Sequence, residues 1–287
     1  MKIAFLGTPE VSAMTLRALV GAGHEVRAVI TRPDKRRGRG EGTSPSPLKA
    51  AAAELGLPVA YLPSEVLGKG ADLGVVVAYG RVIKPDVLAH ITLVNVHFSL
   101  LPRWRGAAPV ERAILAGDER TGVCLMRLEE GLDTGPVYAL SAVPIGPDET
   151  ACELRERLAK LGTDMLLAAL GEGLPVPVPQ VGEPSYAAKL EAKERRLDFA
   201  QTGVVCNRVV RVGKAWTTFR GKRLLVHRAR VVRGSQAIAP GEIQGTLVGT
   251  AGGLLELLEV QAEGKAAMPA AEWARGARLQ PGERFGA

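Results

Sequence analysis

The first part of the chain, about 170 residues, alternates short apolar runs with longer segments of helical periodicity. Short apolar runs bounded by turn residues are typical of buried strands, and longer amphipathic segments are typical of helices packed on a sheet. The predicted strands are Lys2 to Leu6, Glu25 to Thr31, Val59 to Tyr61, Leu73 to Ala78, Leu93 to His97, Val123 to Leu128 and Val137 to Ala142. The predicted helices are Glu10 to Ala22, Pro47 to Leu55, Pro109 to Ala116 and Thr150 to Gly171. This alternation predicts an α/β fold, Rossmann-like, with a mostly parallel sheet and helices on both faces.

The pattern changes after residue 171. Residues 174–179 carry a proline at every second position, so the stretch from Gly171 to Ser185 is predicted to run extended as a connector. Beyond a boundary near Ala200, glycines separate short apolar runs at 224–227, 245–248 and 254–260, which predicts a small OB-like β-barrel. We therefore predict an α/β domain over 1–185, a linker over 186–203 and a C-terminal β-barrel domain over 204–287.

Positive charge is concentrated in the last third of the chain. Residues 1–200 hold 24 basic and 24 acidic residues, whereas residues 201–287 hold 13 basic and 6 acidic ones, so the net charge of +7 arises there. The stretch from Phe199 to Gly241 has no acidic residue and nine basic ones: Arg208, Arg211, Lys214, Arg220, Lys222, Arg223, Arg228, Arg230 and Arg233. A solvated basic face is one interpretation, but the lack of any compensating carboxylate favours contact with a nucleic acid.

Composition argues against several classes of protein. No apolar run approaches the roughly 18 residues that a membrane span requires, so no membrane partner is expected. The apolar run at 3–6 is interrupted by Thr8-Pro9-Glu10 before a secretory signal core is complete, so we expect a cytoplasmic protein. Three widely separated cysteines, at 124, 152 and 206, show neither a disulfide pattern nor zinc-site spacing, and no metal is expected.

Polar residues mark the end of the predicted strand from Leu93 to His97. Asn95, His97 and Ser99 are spaced by two, so their side chains emerge on one face of an extended segment, with apolar residues on the other. Open α/β sheets bind ligands beyond the carboxyl ends of their strands. A single histidine near a strand end is often structural, whereas an amide, an imidazole and a hydroxyl in alternate register favour a functional site.

Asp133 supplies a carboxylate in a later turn, Glu129 to Gly135, between two predicted strands. An amide N–H and an imidazolium stabilise the oxyanion of a tetrahedral intermediate, while a carboxylate keeps the imidazole charged and accepts protons through water. Asn95, His97 and Asp133 together therefore suit acyl transfer to an amine. By itself, an aspartate beside a glycine is also ordinary turn chemistry.

Two segments resemble a known family. Asn95 to Pro109 reads NVHFSLLPRWRGAAP, and GLDTG follows with Asp133 about 36 residues after His97. They resemble the active-site strand and the Leu-Asp-Thr-Gly loop of the methionyl-tRNA formyltransferases, and the similarity extends over essentially the whole chain, weakest after Ala200. The resemblance implies Asn95, His97 and Asp133 as catalytic residues. It also implies direct attack by the substrate α-amine on the formyl carbon of 10-formyltetrahydrofolate, without a covalent enzyme intermediate.

The same resemblance implies two sets of binding residues. The folate cosubstrate is expected to contact Ser99, Leu100, Leu101 and Pro102, and the loop residues Gly80, Arg81, Val82 and Ile83. Residues 32–47 resemble the family's inserted loop that enters the tRNA acceptor stem, although a solvated charged loop is the other interpretation. The expected tRNA contacts are Lys35, Arg36, Arg37 and Arg39 in that loop and Arg208, Arg211 and Lys214 in the C-terminal domain. The expected partner is methionyl initiator tRNA, with no obligate protein partner.

The acceptor amine has alternatives. Formyltransferases that act on a nucleotide sugar share the Asn, His and Asp set, so only the basic loop and basic C-terminal domain favour tRNA. Glycinamide ribonucleotide formylation needs no C-terminal extension of this kind, and a non-catalytic RNA-binding protein would have no need of all three catalytic residues. One departure from the family pattern is the stretch from Arg211 to Thr217, which replaces an Asn-Pro-x-Pro turn and makes the C-terminal tRNA contacts less defined.

Overall fold

The chain forms two compact units in a computed structural model that describes residues 1–36, 43–232 and 238–286. The first unit comprises Met1–Val110, Arg120–Pro144 and Arg155–Ala188. The second comprises Glu111–Glu119, Ile145–Leu154 and Lys189–Ala287. Within the described residues, no helix combines the length and the apolar character that crossing a membrane demands.

Eleven strands precede residue 190 in the described part of the chain. They are β1 (Lys2–Gly7), β2 (Glu25–Ile30), β3 (Lys35–Arg36), β4 (Thr43–Ser44), β5 (Val59–Ala60), β6 (Leu73–Val77), β7 (Leu93–His97), β8 (Arg105–Gly106), β9 (Arg120–Arg127), β10 (Val137–Pro144) and β11 (Tyr186–Ala187). Seven of them form one sheet in the order β10-β9-β7-β6-β1-β2-β5. The pairs from β7 to β5 are parallel, whereas β9 and β10 are antiparallel additions at one edge. The predicted mostly parallel α/β sheet is therefore confirmed.

Burial explains why the central strands read as continuous apolar runs. All five residues of β6 are buried, as are five of the six residues of β1. A parallel strand covered on both faces leaves no solvent side for polar residues, so the pattern does not alternate.

Helices lie between the strands along the chain, and one of them begins with a capping box. They are α1 (Glu10–Gly21), α2 (Pro47–Glu54), α3 (Pro85–Leu88), α4 (Pro109–Ala116), α5 (Ala151–Glu172), α6 (Gly203–Arg211) and α7 (Ala270–Ala277). At the start of α5, Thr150 N donates to Glu153 Oε2 at 2.8 Å and Glu153 N donates to Thr150 Oγ1 at 3.3 Å. This reciprocal pair is a capping box, as the spacing of Thr150 and Glu153 predicts.

The second unit contains an antiparallel sheet. Its strands are β12 (Ala215–Phe219), β13 (Lys222–Val232), β14 (Ile243–Gln244), β15 (Leu247–Thr250), β16 (Gly253–Ala262) and β17 (Met268–Pro269). They run in the order β12-β13-β16-β15-β14, with β17 beside β16. The core beneath the sheet includes an aromatic cluster of Phe199, Phe219, Trp273 and Phe285. The predicted C-terminal β fold is thus confirmed at the level of fold class.

Several elements of the second unit are not predicted by the sequence pattern, namely α6, α7, β12, β14 and β17. Helix α6 begins after Thr202, whose hydroxyl accepts a hydrogen bond from Val205 N at 3.3 Å. Three consecutive small or apolar residues, Gly203 to Val205, hide its periodicity, and the threonine cap is the signal that would have revealed it.

Candidate active site

His97 is the last residue of β7 and is almost fully buried, with 5% of its surface exposed. Its Nε2 lies 3.0 Å from the carbonyl oxygen of Trp104. A carbonyl oxygen only accepts hydrogen bonds, so Nε2 must carry the proton and donate. The other ring nitrogen, Nδ1, lies 3.7 Å from Asp133 Oδ2. The imidazole is therefore fixed at one nitrogen and faces a carboxylate with the other.

The turn after β7 holds the histidine's acceptor in place. Ser99 Oγ donates to Arg103 O at 2.6 Å, and the peptide bond between Leu101 and Pro102 is cis. Trp104 adopts a left-handed conformation with φ of 62°, which directs its carbonyl back toward the end of β7. Ser99 is fully buried and its hydroxyl is engaged, so its first effect is to shape the turn.

Asp133 lies in the turn between β9 and β10, with φ of 50°. Aspartate is one of the few residue types that adopt this left-handed conformation at moderate cost. Its Oδ2 accepts a hydrogen bond from Gly106 N at 2.7 Å. The side chains of His97 and Asp133 are only 6% and 12% exposed, so water screens electrostatic interactions between these two groups weakly.

Asn95 precedes His97 by two residues on β7, which places both side chains on the same face of the strand. It pairs with Val76 on one side and with Met126 on the other, and its side chain is half-buried. The structure thus brings Asp133 within 3.7 Å of His97, and Asn95 lies on the same face of β7 two residues before that histidine.

The residues predicted to contact folate follow two adjacent parallel strands, β6 and β7. Gly80 has φ of 65° and its carbonyl accepts from Arg32 Nη2 at 2.7 Å, while Arg81 Nη1 donates to Tyr61 O at 3.1 Å. Val82 is 89% exposed and Ile83 is half-buried. Because parallel strands end at the same edge, this loop and the turn after β7 share that edge.

The second folate segment has a different character. Leu101 and Pro102 are buried, and Leu101 packs against Cys124 and Met126, so its side chain belongs to the core. Leu100 is half-buried. A ligand at this segment would meet mainly its backbone.

The residues predicted to contact tRNA fall in two places. The side chains of Lys35 and Arg36, and Arg37 and Arg39 altogether, lie outside the described residues. In the second unit Lys214 is exposed and Arg208 half-buried. Arg211 donates from Nη2 to Gly146 O at 2.7 Å and from Nε to Glu149 O at 2.8 Å, and burial lowers the pKa of its guanidinium. Two of its donors are therefore already engaged by protein carbonyls.

Sequence reasoning missed two groups next to Asp133. One is the N–H of Gly106, which lies within the quoted signature but carries no side chain to draw attention. The other is Gln180, whose Nε2 donates to the carbonyl oxygens of Asp133 and Gly135, both at 2.8 Å. Nothing in the proline-rich segment around residue 180 signals such a contact. Among the residues that the structure describes, no three His, Cys, Asp or Glu side chains come together as a metal site would need.

Comparison with known proteins gives matches along the whole chain. Residues 1–170 match the formyl transferase family, and residues 189–278 match the formyl transferase C-terminal domain. The chain is 44% identical to a methionyl-tRNA formyltransferase of Solibacter usitatus and 45% identical to one of Thermus thermophilus, in each case covering 100% of this chain and 99% of the relative. Among solved structures, the N-formyltransferase of Helicobacter canadensis in complex with folinic acid and dTDP-3-aminofucose has a TM-score of 0.71 at 17% identity, covering 91% of this chain and 99% of that one. That last likeness shows a shared fold.

Proposed function

The chain belongs to the formyl transferase family, and we propose that it transfers the formyl group of 10-formyltetrahydrofolate to the α-amine of methionyl initiator tRNA, for translation initiation. Its full-length relatives at 44–45% identity carry the name methionyl-tRNA formyltransferase, so the chain is a one-carbon transferase. A folate-derived formyl donor fits both the family and the folate compound in the structural neighbour. The observation that carries the catalytic proposal is the buried His97 with its Nδ1 3.7 Å from Asp133 Oδ2.

The chemistry follows from the orientation of the imidazole. Nε2 of His97 is committed to Trp104 O, so Nδ1 is the nitrogen free to donate a hydrogen bond to substrate. The separation of 3.7 Å is too long for a hydrogen bond to Asp133 but short enough for strong attraction between charges. An imidazolium in this position, with its positive charge stabilised by the carboxylate, stabilises an oxyanion.

Each proton and electron pair in the transfer then has a place. The lone pair of the α-amine forms the new bond to the formyl carbon, and the carbonyl electron pair moves to oxygen, where Asn95 N–H and His97 Nδ1–H donate to it. The amine loses one proton through water to Asp133. The carbonyl re-forms as the bond to the folate nitrogen breaks, and that nitrogen keeps the electron pair and takes up, through water, the proton that Asp133 received.

Binding of the two substrates is assigned to different parts of the chain. We place the folate at the edge where β6 and β7 end, against Gly80 to Ile83 and against Ser99 to Pro102. We assign the tRNA to the basic loop (Lys35, Arg36, Arg37 and Arg39) and to Arg208, Arg211 and Lys214. The charge excess after residue 200 supports a polyanionic substrate, whose binding is expected to weaken as salt rises. We expect the enzyme to act in the cytoplasm, with translation.

A nucleotide-sugar amine is the alternative acceptor. The sugar-related structural neighbour is only 17% identical to this chain, whereas the full-length tRNA-related relatives are 44–45% identical. Similarity at the lower level supports a common fold without a common acceptor. The alternative is therefore not favoured.

The test is transfer of labelled formyl from 10-formyltetrahydrofolate to methionyl initiator tRNA, run beside a nucleotide-sugar amine and repeated at rising salt. We expect salt-sensitive transfer to the tRNA alone. Transfer only to the sugar amine would keep the chemistry and overturn the proposed acceptor.

Variants separate catalysis from binding. His97→Ala and Asp133→Ala are expected to abolish transfer while leaving tRNA binding near normal, and Glu130→Gln, an exposed carboxylate of the same turn, is the matched control. Full activity in either catalytic variant would refute the roles assigned.

The basic loop has its own test. Arg39→Ala is expected to weaken productive engagement of tRNA more than it weakens folate binding, because a phosphate contact is lost. An unchanged dependence of the rate on tRNA concentration would remove this part of the proposal.

A further inference from the structure

Gln180 uses its whole side-chain amide. Nε2 donates to Asp133 O and to Gly135 O, both at 2.8 Å. Oε1 accepts from Arg105 Nη2 at 2.7 Å and from Arg105 Nε at 3.1 Å. An amide offers two N–H donors and one oxygen with two lone pairs, so every hydrogen-bonding position is filled. The partners also fix the orientation of the amide, because carbonyls require the nitrogen and a guanidinium requires the oxygen.

These bonds act on the turn that carries Asp133. The backbone there is left-handed at Asp133, and the amide of Gln180 holds the carbonyls on both sides of Thr134. Gly135 lies close to the carbonyl of Arg127, with which an added Cβ would collide, so this position of the turn accepts only glycine. Gln180 therefore holds the backbone conformation from which the Asp133 side chain projects.

Arg105 completes a closed ring of contacts. Its side chain binds Gln180, and the next residue, Gly106, donates its N–H to the carboxylate of Asp133 at 2.7 Å. Asp133 is thus held at its main chain by Gln180 and at its side chain by Gly106. Both anchors are joined through Arg105, so the position of the carboxylate is set by one connected network.

The segment that carries Gln180 is itself fixed on both sides. Val178 exchanges two backbone hydrogen bonds with Val137 on β10, at 2.8 and 2.9 Å. Further on, β11 pairs with β8 in parallel register, Tyr186 with Arg105 and Ala187 with Gly106. The segment that carries Gln180 is therefore hydrogen-bonded to β10, which follows the Asp133 turn, and to β8, which contains Arg105 and Gly106.

We propose that Gln180 is a positioning residue for formyl transfer, whose amide sets the distance and direction of the Asp133 carboxylate relative to His97. The inference rests on the proposed function, because it needs Asp133 to act on the imidazole. The amide of Gln180 is fully occupied by protein groups, so we assign it no contact with either substrate. Its loss acts on the rate of the chemical step through a displaced carboxylate.

Two substitutions separate the parts of the amide. Gln180→Met removes all four hydrogen bonds at similar volume. Gln180→Glu keeps an acceptor for Arg105 but has no donor for the two carbonyls of the Asp133 turn. A displacement of about 1 Å at a catalytic group costs up to about 100-fold in rate, so both variants are expected to lower kcat by about 10- to 100-fold with little change in either KM. Val181→Ala, at an exposed neighbour in the same segment, is the control and is expected to keep the kcat of the unmodified enzyme.

A double-mutant cycle decides between positioning and general structure. In the whole 287-residue chain, the rate constant of the chemical step is measured for Gln180→Met, for Asp133→Asn and for the two together, in single-turnover transfer to methionyl initiator tRNA. Once the carboxylate is gone its position no longer matters, so Gln180→Met is expected to cause little further loss in the Asp133→Asn background. If Gln180→Met fails to fold, the same cycle is run with Gln180→Glu.

The outcomes distinguish this inference from the function on which it rests. Equal losses from Gln180→Met in both backgrounds, unchanged kcat in both Gln180 variants, or a rise in KM alone would overturn the positioning role and leave Asp133 as proposed. Full kcat in Asp133→Asn alone would overturn the role of Asp133 and the inference with it.

Discussion

Asp133→Asn isolates the charge of the carboxylate from its shape. Asparagine tolerates the left-handed backbone at this position, where φ is 50°, and its Oδ1 can still accept from Gly106 N. That hydrogen bond orients the amide, so a neutral oxygen stands where Asp133 Oδ2 faces His97 Nδ1. The substitution therefore removes one negative charge and little else.

The distance gives the size of the effect. Two unit charges 3.7 Å apart attract with about 4 kcal/mol at an effective dielectric constant of about 20. Both side chains are nearly buried, so screening by solvent reduces this little. The proposed mechanism uses the imidazolium to stabilise the oxyanion, so losing this attraction is expected to slow the chemical step by up to a factor on the order of 1,000.

Single-turnover formyl transfer with enzyme in excess over methionyl-tRNA measures this step directly. Binding of tRNA and of the folate donor, measured separately, is expected to stay within about twofold because neither is assigned to Asp133. A rate within threefold of the unmodified enzyme, with normal folding, would refute the charge argument. A comparable loss in Glu130→Gln would show that any carboxylate of the turn matters and would refute it as well.

Three further predictions test the surroundings of the site and the stability of the second unit. Gly106→Ala is expected to lower kcat by about 10-fold or more in the transfer assay, because an added Cβ would lie 2.9 Å from a backbone carbonyl of β11 and displace the N–H that holds the Asp133 carboxylate. The hydrogen-bonded ion pair with Arg112 of α4 is the main cause that lowers the carboxyl pKa of Glu194. The stabilising effect of this carboxylate is therefore present above pH 4.5 and is lost as the pH falls through the folded pKa. In urea titrations, the difference in unfolding free energy between Glu194→Gln and the unmodified protein is expected to shrink as the pH falls over that range. Burial raises the thiol pKa values of Cys124 and Cys206 to about 11, whereas Cys152 is exposed. At pH 8 a disulfide reagent is therefore expected to modify only Cys152 in the native protein and all three cysteines after unfolding.

Most of the first sheet can be predicted from the sequence, because strands that are buried on both faces consist of nearly continuous apolar runs. Strand β6 is buried at all five residues, and β7 is buried at every residue except Asn95. The two-residue strands β8 and β11 carry no such signal, since their pairing depends on chain segments about 80 residues apart. A pattern read along the chain cannot report contacts of that separation.

The candidate site likewise contains residues that the sequence predicts and residues that it does not. His97 and Asp133 are prominent because their side chains have reactive chemistry in a recognisable context. Gln180 is an ordinary polar residue in an extended connector, and Gly106 contributes a backbone N–H. Arg211 shows what its charge alone does not reveal: two of its donors bind the carbonyls of residues 146 and 149, so the predicted tRNA contact has fewer donors available to it. Composition counts charges, but only the fold shows which of them are already engaged.

The short parallel pairing of β8 with β11 also bears on how the protein is made. His97 and the turn that follows are synthesised early, but the segment that fixes Asp133 ends at Ala187, 90 residues later. A nascent chain that stops before Gln180 contains His97 and Asp133 but lacks the hydrogen bonds from Gln180 to the Asp133 turn. During vectorial synthesis the site is therefore completed only when the extended connector has emerged and closed this long loop.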